Sequence, residues 1–549
     1  MKKPKVIVVL PAYNAEKTFE KTILKIPKDS YDDLILVDDA SSDKTYEKAL
    51  KMGIKAYQNK INLGYGGNLK VCLLKALEEG ADIIIEMHPD YEYNPAAIPP
   101  ALKKVGEGAH LVVGNRFTTL LSALSMGMLL PKYITSRMLS IFHRFVFRID
   151  LTDWHQGFRV YTKSLLENIN FTANSNNYLF SFEVIVQAIF LKKNIAQVPV
   201  SCEYKGKKRG ASYKNSFKYV SGTFAVLMYF FFAKLGLKNK LFSKRIKNLN
   251  CRLCKEKGYV YEKYKSNDFI SGESFFIFSC AFCQNAFINP LPNDLGKYYP
   301  LTYYGNKKLI GFIKGRLYLI FQKRRIKAIL SYKKIGRILD VGSGEGNIGR
   351  SLEAKGFFYQ GIDATFSRIN NTKILKKDFL SYNPEKKYDV ITFWESLEHF
   401  PNPASYINKA AKILNRDGII VIEAPRFNSL ESKFFAGRWY HLSPPRHTSY
   451  FTDNGLKFLL KNERFEITEQ KSILALDYSL FGFIQSTLNF FQKQDKLTAR
   501  LTRNENIKVL FSIDMFTALF FVPLSLVVEI FLYFINSSPI VLSIARKEK

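Results

Sequence analysis

The apolar run Ile83-Ile84-Ile85 breaks into His88-Pro89-Asp90-Tyr91-Glu92. A run this short reads as a buried strand, and the acidic residues beyond it would reach the edge of a sheet. Carboxylate oxygens there suit Mg2+ or Mn2+, which bridge diphosphates; the imidazole of His88 suits Mn2+ better than Mg2+. A second apolar run, Leu34–Val37, ends in Asp38-Asp39, with Ser41-Ser42-Asp43 close behind. These carboxylates either cap the following helix or accept from the base and ribose hydroxyls of a nucleotide. In the company of the other acidic strand ends, the nucleotide reading is the better one. Gly64, Gly66 and Gly67 allow close backbone approach to a ligand.

A different chemistry follows later in the chain. Asp340-Val341-Gly342-Ser343-Gly344-Glu345-Gly346 closes a strand-like segment, Arg337–Val341, and glycines at such a turn let backbone touch a ligand. Asp363, after Tyr359–Ile362, is placed to bind two ribose hydroxyls. Gly344, Gly346 and Gly349 also satisfy a dinucleotide pattern. Asp340 ahead of the glycines, Asp378 as a partner for an adenine amino group, and the run from Asp389–Phe393 into WESLEHF favour S-adenosylmethionine. Between the two chemistries stand Cys251-Arg252-Leu253-Cys254 and Cys280-Ala281-Phe282-Cys283. Two such pairs place four thiolates around one tetrahedral Zn2+, a structural site because no position stays open. Phe275-Phe276-Ile277-Phe278 would supply its small core.

Positioning these groups requires strands at Val6–Leu10, Leu34–Val37 and Ile83–Met87 and helices at Ala15–Leu24, Lys44–Met52 and Asn68–Glu79. The alternation predicts a parallel α/β sheet, whose ligands sit at the carboxyl ends of its strands. Pro11, Asp38, Asp39, Asp90 and Glu92 all fall there. A helix over Asn347–Lys355 continues the pattern in the second half, and Phe465–Ser472 and Pro539–Ala545 read as closing antiparallel strands. Between them lie two apolar stretches, Ile473–Phe491 and Val509–Ile535, the second broken by Pro523 and Glu529. If the two strands pair, a single membrane crossing is excluded. Two spans, a helical hairpin bent at Pro523 that docks on the membrane, or ordinary core or dimer helices remain, and the docking hairpin is the expectation. Val220–Leu237, flanked by lysines, is short of apolar residues for a span; it reads as an interfacial helix or a domain-closing core helix.

The 549 residues carry 81 Lys+Arg against 48 Asp+Glu, a net charge of +33, with 47% hydrophobic and 15% aromatic content. The charge points to an anionic partner or to a solvated basic surface. Aromatics clustered with apolar residues favour a membrane surface over nucleic acid. The opening run Val6–Leu10 is too short for a signal peptide, so the bulk of the chain is expected on the cytoplasmic face of the membrane.

The strings VVLPAYNAEKTFEKTI, LILVDDASSDKT, NLGYGGN, VVGNRF and DWHQGFR make residues 4–235 resemble family-2 glycosyltransferases of GT-A fold, in particular dolichyl-phosphate mannosyltransferase and its bacterial polyprenyl-phosphate relatives. The resemblance implies that Pro11, Tyr13, Asp38, Asp39 and Gly66 hold a nucleotide sugar, GDP- or UDP-linked. Asp90 matches the second acidic residue of a DxD metal motif, whose first position is His88 here, and Glu92 a supporting position. Gly210 and Ser212 match an RxxGxS element that contacts phosphate; its arginine falls on Lys207, with Arg209 close enough to share the role. The implied reaction is an inverting displacement with a nucleoside diphosphate leaving group, neutralised by metal and basic side chains. A phosphate acceptor scarcely needs a base, whereas a hydroxyl acceptor does. Asp153 is the candidate, His155 the second, and an ion pair between Asp153 and Arg159 the alternative. Residues 250–547 resemble class I methyltransferases with an N-terminal CxxC module, to which RWYHLSPPRH belongs. His399, His441, Arg446 and His447 are candidates to position or deprotonate the methyl acceptor.

The expected organisation is an α/β chain: a glycosyltransferase domain over 1–219, an apolar helix and basic linker over 220–249, a zinc module over 250–300, and a Rossmann-like methyltransferase over 301–549 with an apolar insertion at about 473–535. The expected activity is sugar transfer to polyprenyl phosphate or a glycan, plus methyl transfer, in cell-surface glycan or glycolipid assembly. The alternatives are an inactive glycosyltransferase-like domain acting as scaffold, and a hydroxyl-directed enzyme without a lipid acceptor.

Overall fold

The computed structural model describes residues 3–90, 92–119, 121–202, 213–236, 239–243, 245–246, 249–299, 322–364, 373–491, 495, 498 and 513–548. Lys207, Arg209, Gly210 and Ser212 of the RxxGxS-like element lie outside them. The chain divides into two compact units, Met1–Lys247 and Asn248–Lys549.

Unit 1 is built on strands β1 (Val6–Ala12), β2 (Asp33–Asp38), β3 (Lys55–Gln58), β4 (Ile83–Glu86), β5 (Leu111–Asn115), β6 (Arg159–Thr162) and β7 (Ile195–Pro199), in the order β3-β2-β1-β4-β6-β5-β7. Only β6 runs antiparallel to its neighbours. Both faces of β1 are buried: Val6, Val8 and Leu10 pack into one core while Ile7 and Val9 are covered on the other side. This is why the strand reads as one apolar run rather than an alternation. The register sets Ala12 beside Asp38 and Val9 beside Glu86, so the loops after β1, β2 and β4 open on one edge. β6 begins at that edge, with Arg159 opposite Glu86.

Two long helices, Leu130–Phe147 and Tyr213–Lys234, pack together; Phe142 meets Phe224 at 5.4 Å between ring centroids and Phe147 meets Phe230 at 5.1 Å. The second helix takes in Val220–Lys234 of the lysine-flanked stretch. Val226, Leu227 and Phe230 close the domain, while Phe217, Phe224, Met228 and Phe231 stay exposed.

In unit 2 a seven-stranded sheet runs Ile374–Leu375, Phe357–Ile362, Gly336–Val341, Tyr388–Trp394, Leu414–Pro425, Ile540–Lys547, Phe465–Ser472. The last strand pairs antiparallel with Ile540–Lys547, as expected from the sequence. The insertion forms helices Leu476–Leu488 and Ile513–Phe534, joined through Ile484, Leu488, Phe521 and Val522. The expected hairpin bend at Pro523 is absent, and the helix runs through that residue. A proline inside a helix costs a backbone hydrogen bond and kinks the axis without necessarily reversing the chain. Among the described residues no helix is long and apolar enough to cross a membrane.

A smaller sheet in unit 2 joins Val260–Asn267, Ser274–Cys280, Ala286–Ile288 and Ser449–Tyr450. The aromatic run near Phe276 does not make a separate core for it. Phe276 is 39% exposed, and Ile277 packs with Phe427, Phe435, Trp439 and Tyr450 from far along the chain.

Candidate functional sites

At the open edge of the unit 1 sheet, Asp38 accepts from the Ser41 backbone N–H at 3.1 Å, from the Ser41 hydroxyl, and from Gln58 at 3.0 Å. Asp39 accepts from Asn59 at 2.9 Å and from the backbone N–H groups of Leu63 and Gly64 at 2.8 and 2.9 Å. Burial pushes its carboxyl up, against these hydrogen bonds. Asp39 therefore ties down the Asn62–Gly64 loop ahead of the helix Tyr65–Glu78. Pro11, next to last in β1, is half-buried, and Tyr13 just beyond the strand is exposed. Gly66 is shut in: a Cβ there would meet the Ser175 carbonyl at 2.4 Å, so it permits packing rather than ligand contact.

His88 turns inward. Its Nε2 lies 3.2 Å from Glu86 Oε1 and 3.4 Å from the Tyr65 hydroxyl, and a Cβ on Gly157 would lie 2.8 Å from the ring. Burial opposes ionisation of both members of the pair. For Glu86, the His88 hydrogen bond, the charge of Arg159 and the Tyr161 hydroxyl outweigh burial and hold its carboxyl below the usual range. For His88, the Glu86 carboxylate outweighs burial and raises the imidazole. Asp90 and Glu92 are half-buried, with Asp90 accepting from the Glu92 N–H at 3.1 Å. His88, Asp90 and Glu92 do not form one of the metal-competent groups of three within 4.8 Å found among the described residues. A divalent ion in such a place takes one or two carboxylates and completes its shell with substrate phosphates.

Asp153 is fully buried, and its partner is Arg116, not Arg159. Arg116 donates from Nε at 2.7 Å, from Nη2 at 3.0 Å and from its backbone N–H at 3.2 Å. Arg116 outweighs burial and holds the carboxyl below its usual range. A buried carboxylate with both oxygens engaged is a poor base, so the geometry makes Asp153 a positioning group. His155 Nδ1 meets the Tyr219 hydroxyl at 2.8 Å, which docks the helix Tyr213–Lys234 onto this loop.

His143 and His155 face each other, 5.4 Å between ring centroids. Burial lowers His143 to about 4; burial, then His143, lowers His155 to about 3. Both fall below the ordinary value near 6.5, so their stability contribution is complete above about pH 6.5 and is lost as pH falls. At about pH 5 the loss is at most about 2 kcal/mol per ring. Urea midpoints of unit 1 are expected to fall from about pH 7 to about pH 5, and to fall less in the double variant His143→Gln, His155→Gln. Equal slopes in the two proteins would refute this.

In unit 2 the turn after Gly336–Val341 holds Gly344 at φ +53° with open space where a Cβ would be. Its N–H donates to Asp363 at 3.0 Å. This turn lies at the carboxyl end of the strand, where open α/β sheets take their ligands in a crevice, while Asp378 is exposed and accepts from the Tyr406 hydroxyl at 3.4 Å. Gly346 at φ +65° could not carry a side chain, since Ile374 lies 2.3 Å from its Cβ position. Gly342 likewise abuts Ser396. Asp340 lies beneath the crevice, 3% exposed, accepting from Thr392 at 2.8 Å and Tyr359 at 3.0 Å. Burial pushes it up to about 6. It shapes the loop from below.

Cys251 and Cys283 stand 3.7 Å apart at sulfur, as do Cys254 and Cys280, and the four sulfurs lie within 4.8 Å of one another. A tetrahedral ion with sulfur at about 2.3 Å sets sulfurs about 3.8 Å apart. The two turns repeat one geometry. The carbonyl of the first cysteine accepts from the residue four positions on, Lys255 or Gln284, and each of these has a positive φ. Arg446, a candidate at the methyl acceptor, instead pairs with buried Asp268 at 2.8 Å and donates to the Tyr298 carbonyl.

Residues 7–169 match the family model for glycosyl transferase family 2, and residues 315–470 match a methyltransferase-domain model. The chain carries both domains. It is a transferase twice over, with S-adenosylmethionine implied as the methyl donor. Similar proteins include the UDP-N-acetylglucosamine–dolichyl-phosphate N-acetylglucosaminyltransferase of Methanococcus voltae, 28% identical over 36% of this chain and 86% of that one. The undecaprenyl-phosphate mannosyltransferase of Micrococcus luteus is 27% identical over 36% of this chain and 83% of that one. Glucosyl-3-phosphoglycerate synthase from Mycobacterium tuberculosis, solved with Mn2+, UDP and phosphoglyceric acid, is 19% identical, covers 41% of this chain and 78% of its own, and has a TM-score of 0.30.

Proposed function

We propose that unit 1 transfers a sugar from a nucleotide diphosphate sugar to polyprenyl phosphate at the cytoplasmic face of a membrane, and that unit 2 methylates the product or a glycan end in the same cell-surface pathway. The observation that carries the reading is the acceptor of the two similar enzymes, dolichyl phosphate in one and undecaprenyl phosphate in the other. Surface chemistry supports it. Leu130, Ile134, Met138, Ile141 and Phe145 form one exposed stripe along their helix, beside the exposed Phe217, Phe224 and Met228. Arg144, Arg148 and Lys218 are exposed on the same two helices or at their ends. An apolar face carrying cations suits an anionic bilayer surface.

In this reading Asp90 and Glu92 hold Mn2+ or Mg2+ against the diphosphate, and the loops after β1 and β2, with Pro11, Tyr13 and Asp38, receive the nucleotide. Arg209 and Ser212 remain the candidates for phosphate contact. Asp363, Asp378 and the Gly344 backbone hold S-adenosylmethionine, and the four cysteines hold a structural Zn2+. The test offers purified protein Mn2+, polyprenyl phosphate and labelled UDP-N-acetylglucosamine, GDP-mannose or UDP-glucose, and counts label in the organic phase. Label from one donor, lost in Asp90→Asn, is the expected result. No label from any donor, with S-adenosylmethionine still bound, overturns the reading in favour of a scaffold or a hydroxyl acceptor.

A further inference from the structure

The turn that follows strand Tyr388–Trp394 brings together Glu398, His399 and, from a distant loop, His447. Each offers one ligand atom, and the three atoms lie within 4.8 Å of one another. The histidines are arranged as metal ligands are. His447 Nδ1 lies 2.8 Å from the His441 carbonyl, and His399 Nδ1 lies 3.1 Å from the Arg446 carbonyl. A carbonyl only accepts, so each Nδ1 carries the proton and each Nε2 keeps its lone pair. A second ring N–H fixed by a carbonyl is the usual support of a ligating histidine. Glu398 is 1% exposed, and the side chain that meets its carboxyl is a second acid, Glu395. Two buried carboxyl groups in contact share a proton or gather around a cation, and beside two imidazoles with free lone pairs the cation has its ligands ready. The backbone locks the loops in place, since Thr448 donates its N–H to the Glu398 carbonyl at 2.9 Å, one residue past His447.

We propose that Glu398, His399 and His447 form a divalent-cation site in the methyltransferase domain, and that the cation holds an oxygen of the methyl acceptor. One carboxylate with two imidazoles selects a borderline ion such as Zn2+, Co2+, Mn2+ or Fe2+ and leaves coordination positions open. The site adjoins the cofactor crevice: Ser396, in the same turn, donates to the Val341 carbonyl at 2.7 Å and lies against Gly342. A hydroxyl bound to the cation loses its proton to water more readily. Its oxygen then forms a bond to the methyl carbon of S-adenosylmethionine, the carbon–sulfur bond breaks with its electron pair left on sulfur, and S-adenosylhomocysteine departs. The inference stands on the methyltransferase domain and is independent of the lipid acceptor proposed for unit 1.

The test is anomalous diffraction from crystals of the full chain equilibrated with Co2+. A peak at about 2.0–2.2 Å from Glu398 and both histidines is expected, distinct in position from any ion at the four cysteines or at Asp90. Metal counting by mass spectrometry supplies the second reading, with Glu398→Gln and His447→Gln each expected to bind one Co2+ fewer per chain while S-adenosylmethionine still binds. Co2+ seen elsewhere but absent from these three side chains overturns the proposal. So does an unchanged metal count in both variants.

Discussion

Removing the Zn2+ proposed for the four-cysteine cluster, or replacing Cys280 with serine, is expected to unfold much of unit 2 rather than loosen one loop. Apparent binding energies of structural zinc are about 10–16 kcal/mol, as large as the whole stability of a typical domain at about 5–15 kcal/mol. The cluster pins one end of the small sheet, because Cys280 terminates strand Ser274–Cys280 and Cys283, in the turn that follows, leads into its antiparallel neighbour Ala286–Ile288. That sheet shares its core with residues from beyond the cofactor crevice: Ile277 and Ile288 pack against Phe427, Trp439 and Leu442. Strand Ser449–Tyr450 also pairs with Ala286–Ile288, two residues after His447. Loss of the ion should therefore abolish the near-ultraviolet circular dichroism of buried Trp439 and weaken S-adenosylmethionine binding at least tenfold. If the cysteines were only buried thiols, Cys280→Ser would cost about 1–3 kcal/mol, the price of a buried hydroxyl. Intact circular dichroism and cofactor binding in protein shown by mass spectrometry to be metal-free would refute the prediction.

How much of this the sequence discloses depends on where each residue's partners lie along the chain. Strands β1, β2 and β4 were legible because burial on both faces leaves an unbroken apolar run. Strand β6, Arg159–Thr162, was not: it opens with a buried arginine whose balancing charge, Glu86, lies opposite it on another strand. Helix Leu130–Phe147 is hard to read from the sequence because its apolar stripe faces outward, and periodicity cannot say which side of a stripe is solvent. The candidate site divides in the same way. The cofactor glycines announced themselves through local spacing, and the structure places Asp363 on their backbone. Asp39 looked like a ligand contact, yet two of its three partners are backbone groups 24 and 25 residues on. A string of letters does not distinguish a carboxylate facing substrate from one facing its own loops. The cluster of Glu398, His399 and His447 had a visible half in WESLEHF. His399 and His447 were already candidates at the methyl acceptor, and Glu398 joins them only because the fold brings the three ligand atoms together.

The same distinction decides what Asp153 does. Arg116→Ala is expected to destabilise unit 1 by about 3–5 kcal/mol, the usual cost of breaking a buried ion pair on one side. The removed guanidinium supplies two donors to the carboxylate and a third contact, at 3.1 Å, to the His155 carbonyl. The carboxyl's folded value lies below its unfolded one because Arg116 outweighs burial. The pair's stabilisation is therefore present above the unfolded value near 3.9 and is lost as pH falls below it. The variant should differ most from the parent near neutrality and converge with it in acid. Replacing both partners, as Arg116→Met with Asp153→Leu, should recover much of the loss, since a buried pair exchanged for apolar side chains of similar volume is often close to neutral. Asp153→Asn separates the two roles open to this residue. A positioning carboxylate predicts a lowered urea midpoint with sugar transfer reduced only as far as folding is. A general base predicts kcat down by about 10²–10⁴ with the midpoint unchanged, and that outcome would restore Asp153 to the chemistry.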